Sequence, residues 1–227
     1  MSAEDATPER PRRSFLASGN PFVKRADTTR GQATGLFGML TVCTGNICRS
    51  PLAELMLADR LRGLPVELGS AGTYGMVGEG VEPTVAEIAS RRFGLDPTSH
   101  RARRLSERQL RDADLILVLT ERHLTRALDL VPAAVGRTFT LTEYARISRA
   151  LDAADADPRS LSQHVELAGR LRGAVRSQAA QESRGSAWLD VADPMGKSRE
   201  VHEVVADEID AATRAIATSL RAATQAP

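Results

Sequence analysis

The chain has 227 residues, 42% hydrophobic and 26% charged, with a formal net charge of +1. This is a globular balance with enough chain for a sizeable core, and it offers no global attraction to nucleic acid or to an anionic membrane. No apolar run reaches bilayer length and two cysteines cannot staple so long a chain, so the expected compartment is reducing and cytoplasmic, without membrane insertion.

Residues 1–35 are rich in Pro, Arg, Ser, Thr and Gly, the composition of a flexible tail. Phe15-Leu16-Ala17 is cut short by Ser18-Gly19-Asn20-Pro21 and makes no secretory h-region. Phe37 to Val42 then reads as a buried strand, followed by a loop and a helix carrying Leu52, Leu55 and Met56, with Pro51 tolerable in its first turn. Val66 to Gly69 is a second strand and Ser70 to Gly80 a Gly-rich loop. A second helix carries Val85, Ile88, Ala89 and Phe93 and ends at Gly94. Leu115 to Leu119 is the clearest buried strand; a helix through Leu124, Ala127, Leu128 and Val131 follows, and Thr138 to Leu141 is a fourth strand. The alternation predicts an α/β fold, an open four-stranded parallel sheet, doubly wound with helices on both faces. Residues 147–185 form a helical insertion beginning near Asp157-Pro158 and carrying Leu161, Val165, Ala168, Leu171 and Val175. Val201, Val204, Val205, Ile209, Ala212, Ile216 and Leu220 trace one face of a long last helix. One domain over 36–225 is the expectation.

Both cysteines fall in one ten-residue stretch, Val42-Cys43-Thr44-Gly45-Asn46-Ile47-Cys48-Arg49-Ser50-Pro51. A polar loop between a strand and a helix N-terminus in an open α/β sheet points backbone N–H groups at a ligand, and the helix dipole adds positive charge. Gly45 and Asn46 tolerate the curled backbone this needs. Thr44, Gly45, Asn46, Ile47, Cys48, Arg49 and Ser50 are therefore the candidate phosphate-binding residues. Arg49 supplies a planar fork for two phosphoryl oxygens. Cys43 sits at the lip, where such surroundings favour thiolate and allow attack on phosphorus to give a phosphocysteine.

This stretch closely resembles the signature P-loop of the low-molecular-weight protein tyrosine phosphatases. The likeness continues through Glu54, Ser70-Ala71-Gly72-Thr73, Ser99-His100-Arg101-Ala102-Arg103, Ala113 to Thr120, and Asp193-Pro194, covering about 37–145 and 188–222. It implies the phosphotyrosine phosphatase I-like fold and a protein-tyrosine-phosphatase activity without cofactor or metal. Cys43 would be the nucleophile, Arg49 the phosphate clamp, and Ser50 the hydroxyl that donates to the thiolate. Asn46 and His100 would brace the loop. Asp193 would be the general acid that protonates the leaving oxygen and then activates water. Cys48 would be a redox partner, forming a reversible disulfide with Cys43 against overoxidation. The implied partner is a phosphotyrosine-bearing protein such as a bacterial tyrosine kinase.

Three departures from the family's pattern stand out. Met76 and Met195 replace aromatics often found in the cleft walls, leaving Tyr74 as the nearby ring. Thr120 stands where relatives often carry an aspartate near the arginine, which shifts the expected orientation of Arg49 onto Glu54. The insertion could be a lid, a partner surface or packed embellishment. His123, His164 and His202 read as solvated surface histidines, the arginines between Arg91 and Ala113 as an ordinary solvated face, and Asp152, Asp155 and Asp157 as helix-capping acids. Two alternative functions share the phosphate cradle: arsenate reduction with an external thiol, and non-enzymatic phosphate sensing.

Overall fold

Alternation within the strands decides how the layers assemble. In β1 (Phe37–Cys43), Phe37, Met39 and Cys43 join one buried cluster, while Leu40 and Val42 join another. In β3 (Leu115–Val118), Leu115 and Leu117 fall on the first side and Ile116 and Val118 on the second, all completely buried. Strands apolar on both faces must be covered on both, which is the environment of a parallel sheet between helical layers. The computed structural model has that architecture and describes residues 35–182, apart from 155 and 157, together with 187–225. Residues 1–34 of the expected tail, Asp155 and Asp157 lie outside the described residues.

With β2 (Val66–Gly72) and β4 (Thr138–Thr140), the sheet has four parallel strands in the order β2-β1-β3-β4. Register pairs Cys43 with Gly72 and Val42 with Val118, so the ends of three strands meet where the phosphate loop begins. The chain winds outward from β1 in both directions, and the crevice at this switch point is where such sheets bind ligands.

One face is covered by α1 (Arg49–Arg60), α2 (Pro83–Phe93), α5 (Leu141–Ala153), α6 (Leu161–Gln181) and α7 (Arg199–Gln225). The other is covered by α3 (Glu107–Asp112), α4 (Glu121–Leu130) and a 3-10 turn at Pro132–Arg137. Several element bounds differ from the sequence expectation, each for a local reason. Ser70-Ala71-Gly72 extend β2 because they pair with β1. Leu141 begins α5 because Thr140 and Glu143 form a reciprocal capping box, a signal legible as T-x-x-E. α3, which the sequence expectation did not include, opens on the same kind of box between Ser106 and Gln109. Ser160 caps α6, and Val204, expected on the apolar face of the last helix, points to solvent.

The α6 helix of the segment expected as an insertion is packed into the core. Leu161, Val165, Ala168 and Val175 of α6 join the main cluster, and the completely buried Glu143 of α5 takes Arg176 at 2.6 Å and Arg172 at 3.2 Å. Arg172 also lies 4.0 Å over the Phe139 ring.

The three histidines are buried, not solvated: His123, His164 and His202 are 4%, 0% and 5% exposed. Around His164 the proton directions are determined. Ser219 donates to the Asp152 carboxylate at 2.6 Å, so its oxygen accepts from His164 Nε2 at 2.8 Å; Nδ1 is left to accept from the Tyr144 hydroxyl at 2.8 Å. Asp152 thus closes a network tying α5, α6 and α7 and is not a helix cap. Burial holds the His164 pKa down at about 4, against the partial opposition of Asp152.

The unfolded chain takes up a proton as pH falls through about 6.5, and the folded imidazole does not until about 4, so stability is lost across that window. The loss is roughly 3 kcal/mol by pH 4. Urea unfolding of wild type and His164→Gln from pH 7.5 downward should show a steeper decline for wild type; parallel curves would remove His164 as the cause.

Candidate active site

Six consecutive backbone carbonyls, from Cys43 to Cys48, are all engaged by neighbouring groups. Cys43 O accepts from Thr73 N at 2.9 Å, Thr44 O from Tyr74 N at 2.9 Å, and Gly45 O from Met76 N at 2.9 Å. Asn46 O accepts from His100 Nε2 at 2.7 Å, Ile47 O from Glu82 N at 2.8 Å, and Cys48 O from Leu52 N at 3.3 Å. A trans peptide points its N–H opposite to its C=O. With the carbonyls turned out onto the loop after β2, His100, α2 and α1, the amides of residues 44–49 turn inward to form an anion cradle. At its base is the N-terminus of α1, which has no side-chain cap and no acid in its first turn.

The donors from the loop after β2 need close backbone approach. A Cβ on Gly72 would meet Gly75 Cα at 2.8 Å and Asn46 N at 3.0 Å, and one on Gly75 would lie 2.8 Å from Arg104 N. No other residue fits at either position without displacing backbone.

Asn46 is the centre of the loop. It is the one non-glycine residue with positive φ among the described residues, at 60°, and it is completely buried. Its Oδ1 accepts from Arg103 N at 2.8 Å, which fixes the amide orientation; Nδ2 then donates to Ser70 Oγ at 2.7 Å and Ser50 Oγ at 2.9 Å. Ser70 spends its proton on Glu54 Oε2 at 2.5 Å. Ser50 Oγ lies 3.0 Å from Cys43 Sγ and 3.4 Å from Ala71 O, and because a thiolate can only accept, its hydroxyl is the donor to the ionised sulfur. Asn46 N–H donates to the same sulfur at 3.3 Å. Two donors converge on Cys43 Sγ, which is the arrangement that stabilises a thiolate.

Arg49 is 3% exposed and anchored by Nη1 to Val191 O at 3.0 Å and by Nη2 to Thr44 Oγ1 at 3.4 Å. Nη2 also pairs with Asp193 Oδ2 at 2.8 Å, while Nε is buried without a partner. Glu54 was expected to orient Arg49; instead it ends the Ser70–Asn46 chain, and the Val191 carbonyl does the orienting. Val191 is placed by its N–H to Leu119 O at 2.9 Å, and Asp190 caps α4 through Glu121 N at 2.7 Å. Those two bonds bring the Asp193 loop to the end of β3.

His123 was missed by sequence reasoning. Its Nε2 lies 2.9 Å from Thr44 Oγ1 and its Nδ1 2.9 Å from Thr120 Oγ1, so Thr120 and His123 support the loop side chain that touches Arg49. Burial, reinforced by Arg49, holds the His123 pKa down at about 4. Thr120 as N-cap with His123 three residues later was the only available signal. Burial first, then the neighbouring Cys43, Glu82 and Asp193, push the Cys48 thiol up to about 12.

The resulting cleft, of about 180 Å³, is lined by Cys43, Ile47, Cys48, Arg49 and Asp193 and walled by Tyr74, Met76 and Met195. Among the described residues no group of three or more His, Cys, Asp or Glu could hold a metal ion, and no helix is long and apolar enough to cross a membrane.

Residues 38–174 match the family model described as low molecular weight phosphotyrosine protein phosphatase. The chain belongs to this family. Etp of Escherichia coli K12, a low molecular weight protein-tyrosine-phosphatase, is 36% identical over 106 residues, 47% of this chain and 70% of Etp. Wzb of the same strain is 41% identical over 99 residues, 44% of this chain and 65% of Wzb. Among solved structures, the tyrosine phosphatase AmsI of Erwinia amylovora superposes with a TM-score of 0.57 at 25% identity, covering 82% of this chain and 93% of AmsI. The YwlE arginine phosphatase of Geobacillus stearothermophilus gives 0.58 at 25% identity with the same coverage. The family's members are cysteine-dependent phosphatases, which favours that class over arsenate reduction and over phosphate sensing.

For a phosphatase of this family the Asn46 network is testable directly. Asn46→Ala removes an αL-tolerant residue and strands Arg103 N–H, Ser50 and Ser70; a stability loss of about 3 kcal/mol and a roughly 100-fold fall in aryl phosphate turnover are expected. Thermal unfolding and steady-state kinetics on the same preparation check both.

Proposed function

We propose that the protein hydrolyses phosphotyrosine through a phosphocysteine on Cys43, with Arg49 as clamp and Asp193 as acid and base, within one catalytic unit spanning residues 36–225. The observation that carries this reading is the convergence of Ser50 O–H and Asn46 N–H on Cys43 Sγ at the mouth of the amide cradle.

A phosphoryl dianion entering the cradle takes the inward amides and offers an acceptor to the unpartnered Arg49 Nε. It competes with Asp193 for Arg49 Nη2, and displacement frees that carboxyl to carry a proton to the leaving oxygen. The Cys43 thiolate attacks phosphorus as the bond to the phenolic oxygen breaks, and Asp193 protonates that oxygen. Water then attacks the phosphocysteine, Asp193 accepts its proton, and the sulfur leaves as a thiolate stabilised by Ser50. Preorganised donors around the equatorial oxygens supply most of the catalysis.

The substrate class we favour is a phosphotyrosine-bearing protein in the cytoplasm, a tyrosine kinase among the candidates. Hydrolysis of an aryl phosphate at slightly acid pH should proceed in wild type with chelator present and vanish in Cys43→Ser. Asp193→Asn should lower kcat by roughly 100-fold, most for leaving groups of high pKa, and should let phosphocysteine accumulate. Faster turnover of a phosphoarginine peptide than of a phosphotyrosine peptide would move the substrate assignment to the chemistry named for the Geobacillus relative.

Cys48 shares the cleft with Cys43 and is the proposed resolving thiol. Peroxide converts the Cys43 thiolate to sulfenic acid; Cys48 sulfur then bonds to Cys43 sulfur, and the hydroxyl leaves as water with the Cys48 proton. Mass spectrometry after mild peroxide should find the Cys43–Cys48 disulfide in wild type and sulfinic acid in Cys48→Ala. Sulfinic acid without disulfide in wild type would exclude the latch.

A further inference from the structure

A second cavity adjoins the cleft. It encloses about 350 Å³, larger than the cleft itself, and both are lined by Thr44 and Tyr74, so the half-exposed Tyr74 side chain borders both. The remaining wall is mostly α4, through Arg122, His123, Arg126 and Asp129. Arg122 and Arg126 are four residues apart and share a helix face. Both are exposed, and neither forms an ion pair with a carboxylate among the described residues. Asp129 lies three residues beyond Arg126 and seven beyond Arg122, ~10 Å along the axis from the latter, so the acid sits toward the C-terminal end of the wall, and Arg122, next to the His123 that touches Thr44, lies toward the loop. His123 adds no charge at neutral pH, because burial and Arg49 keep it deprotonated.

A buried phosphate site needs none of this. The cavity lies outside the amide cradle, and the arginines touch neither Cys43 nor Asp193. It differs from the cleft in chemistry as well, since the cleft walls past the phosphate are methionine and tyrosine. A phenyl ring bound in the cleft would border Tyr74, and with successive Cα atoms 3.8 Å apart the next few residues of the same peptide would come within reach of the neighbouring cavity.

We propose that this cavity is a specificity subsite that binds a second anionic group, a carboxylate or a phosphate, carried by the substrate within a few residues of the phosphotyrosine. The inference rests on the phosphotyrosine reading of the cleft. Guanidinium forks at Arg122 and Arg126 match either oxygen cluster, while the Thr73 and Thr125 hydroxyls in the same lining already donate to Cys43 O and Glu121 O.

Three phosphotyrosine peptides test it, flanked by serines, by glutamates, or by a second phosphotyrosine. At low ionic strength wild type should favour at least one anionic peptide over the serine peptide by about fivefold in kcat/KM, the effect of two exposed charge pairs, and the preference should shrink in high salt. The double variant Arg122→Gln/Arg126→Gln should bring the ratio close to one; a ratio taken within one enzyme is insensitive to partial misfolding. Preference for the doubly phosphorylated peptide alone identifies phosphate as the source, and equal preference for both identifies any carboxylate-like anion. Wild-type ratios near one, or a preference that survives in the double variant, overturn the subsite while leaving the phosphotyrosine reading intact. Hydrolysis of a small aryl phosphate with none of the three peptides turned over overturns that reading and the subsite with it.

Discussion

The constraint on which the site depends is the outward turn of six carbonyls between Cys43 and Cys48. Each peptide has one acceptor end and one donor end, and a buried loop can present its donors to a ligand only if something else takes its acceptors. Here the takers come from four places in the chain: the loop after β2, His100, the start of α2 and the first turn of α1. The cradle is therefore a tertiary structure, although its residues are consecutive. A peptide of the same ten residues would have water on both ends of every amide and no preferred inner face.

Asn46 couples that geometry to reactivity. A left-handed residue turns the loop, and its side chain polarises two serines in opposite directions, one toward Glu54 and one toward the Cys43 sulfur. Direction follows from the carboxylate end, because Glu54 can only accept. Protonating or removing Glu54 would free the Ser70 proton and loosen the constraint on Asn46 and Ser50. A surface-facing carboxylate thus helps hold a hydroxyl proton on a sulfur inside the cleft, through two intervening side chains and without touching the substrate.

What was legible in the sequence separates along the same line. The strands were readable because β1 and β3 are apolar on both faces, and the cradle was readable because Cys43, Gly45, Asn46, Arg49 and Ser50 fall within one short stretch that joins a strand to a helix. Asp193 was reached only through its family likeness; nothing local says that residue 193 returns to residue 49. The partners of Arg49 were opaque for a plainer reason, since Val191 contributes a carbonyl that every residue has. The histidines failed differently. His123, His164 and His202 each sit on a helix where polar spacing implies solvent, but each is enclosed by partners from other elements, and no periodicity reports a Tyr144 or a Ser219 waiting across the interface. The capping boxes at Ser106 and Thr140 were present as letter patterns and simply outvoted, in one case by a run of arginines and in the other by a short apolar stretch.

Burial divides the site into two parts that answer to different demands. Cys43, Asn46, Arg49 and Ser50 are all nearly inaccessible, and each is held by groups that would be left unsatisfied if it changed. Tyr74, Met76 and Met195, which meet whatever lies beyond the phosphate, are about half exposed, and their side chains make no hydrogen bond among the described residues. Substituting an exposed apolar side chain costs the fold little, whereas stranding a buried polar group costs it about 1–3 kcal/mol each time. Phosphate chemistry is consequently locked to folding, and recognition of the rest of the substrate is free to vary. Methionine in two of the three wall positions suits that freedom, because an unbranched thioether can repack around rings of different shape where an aromatic wall would impose its own.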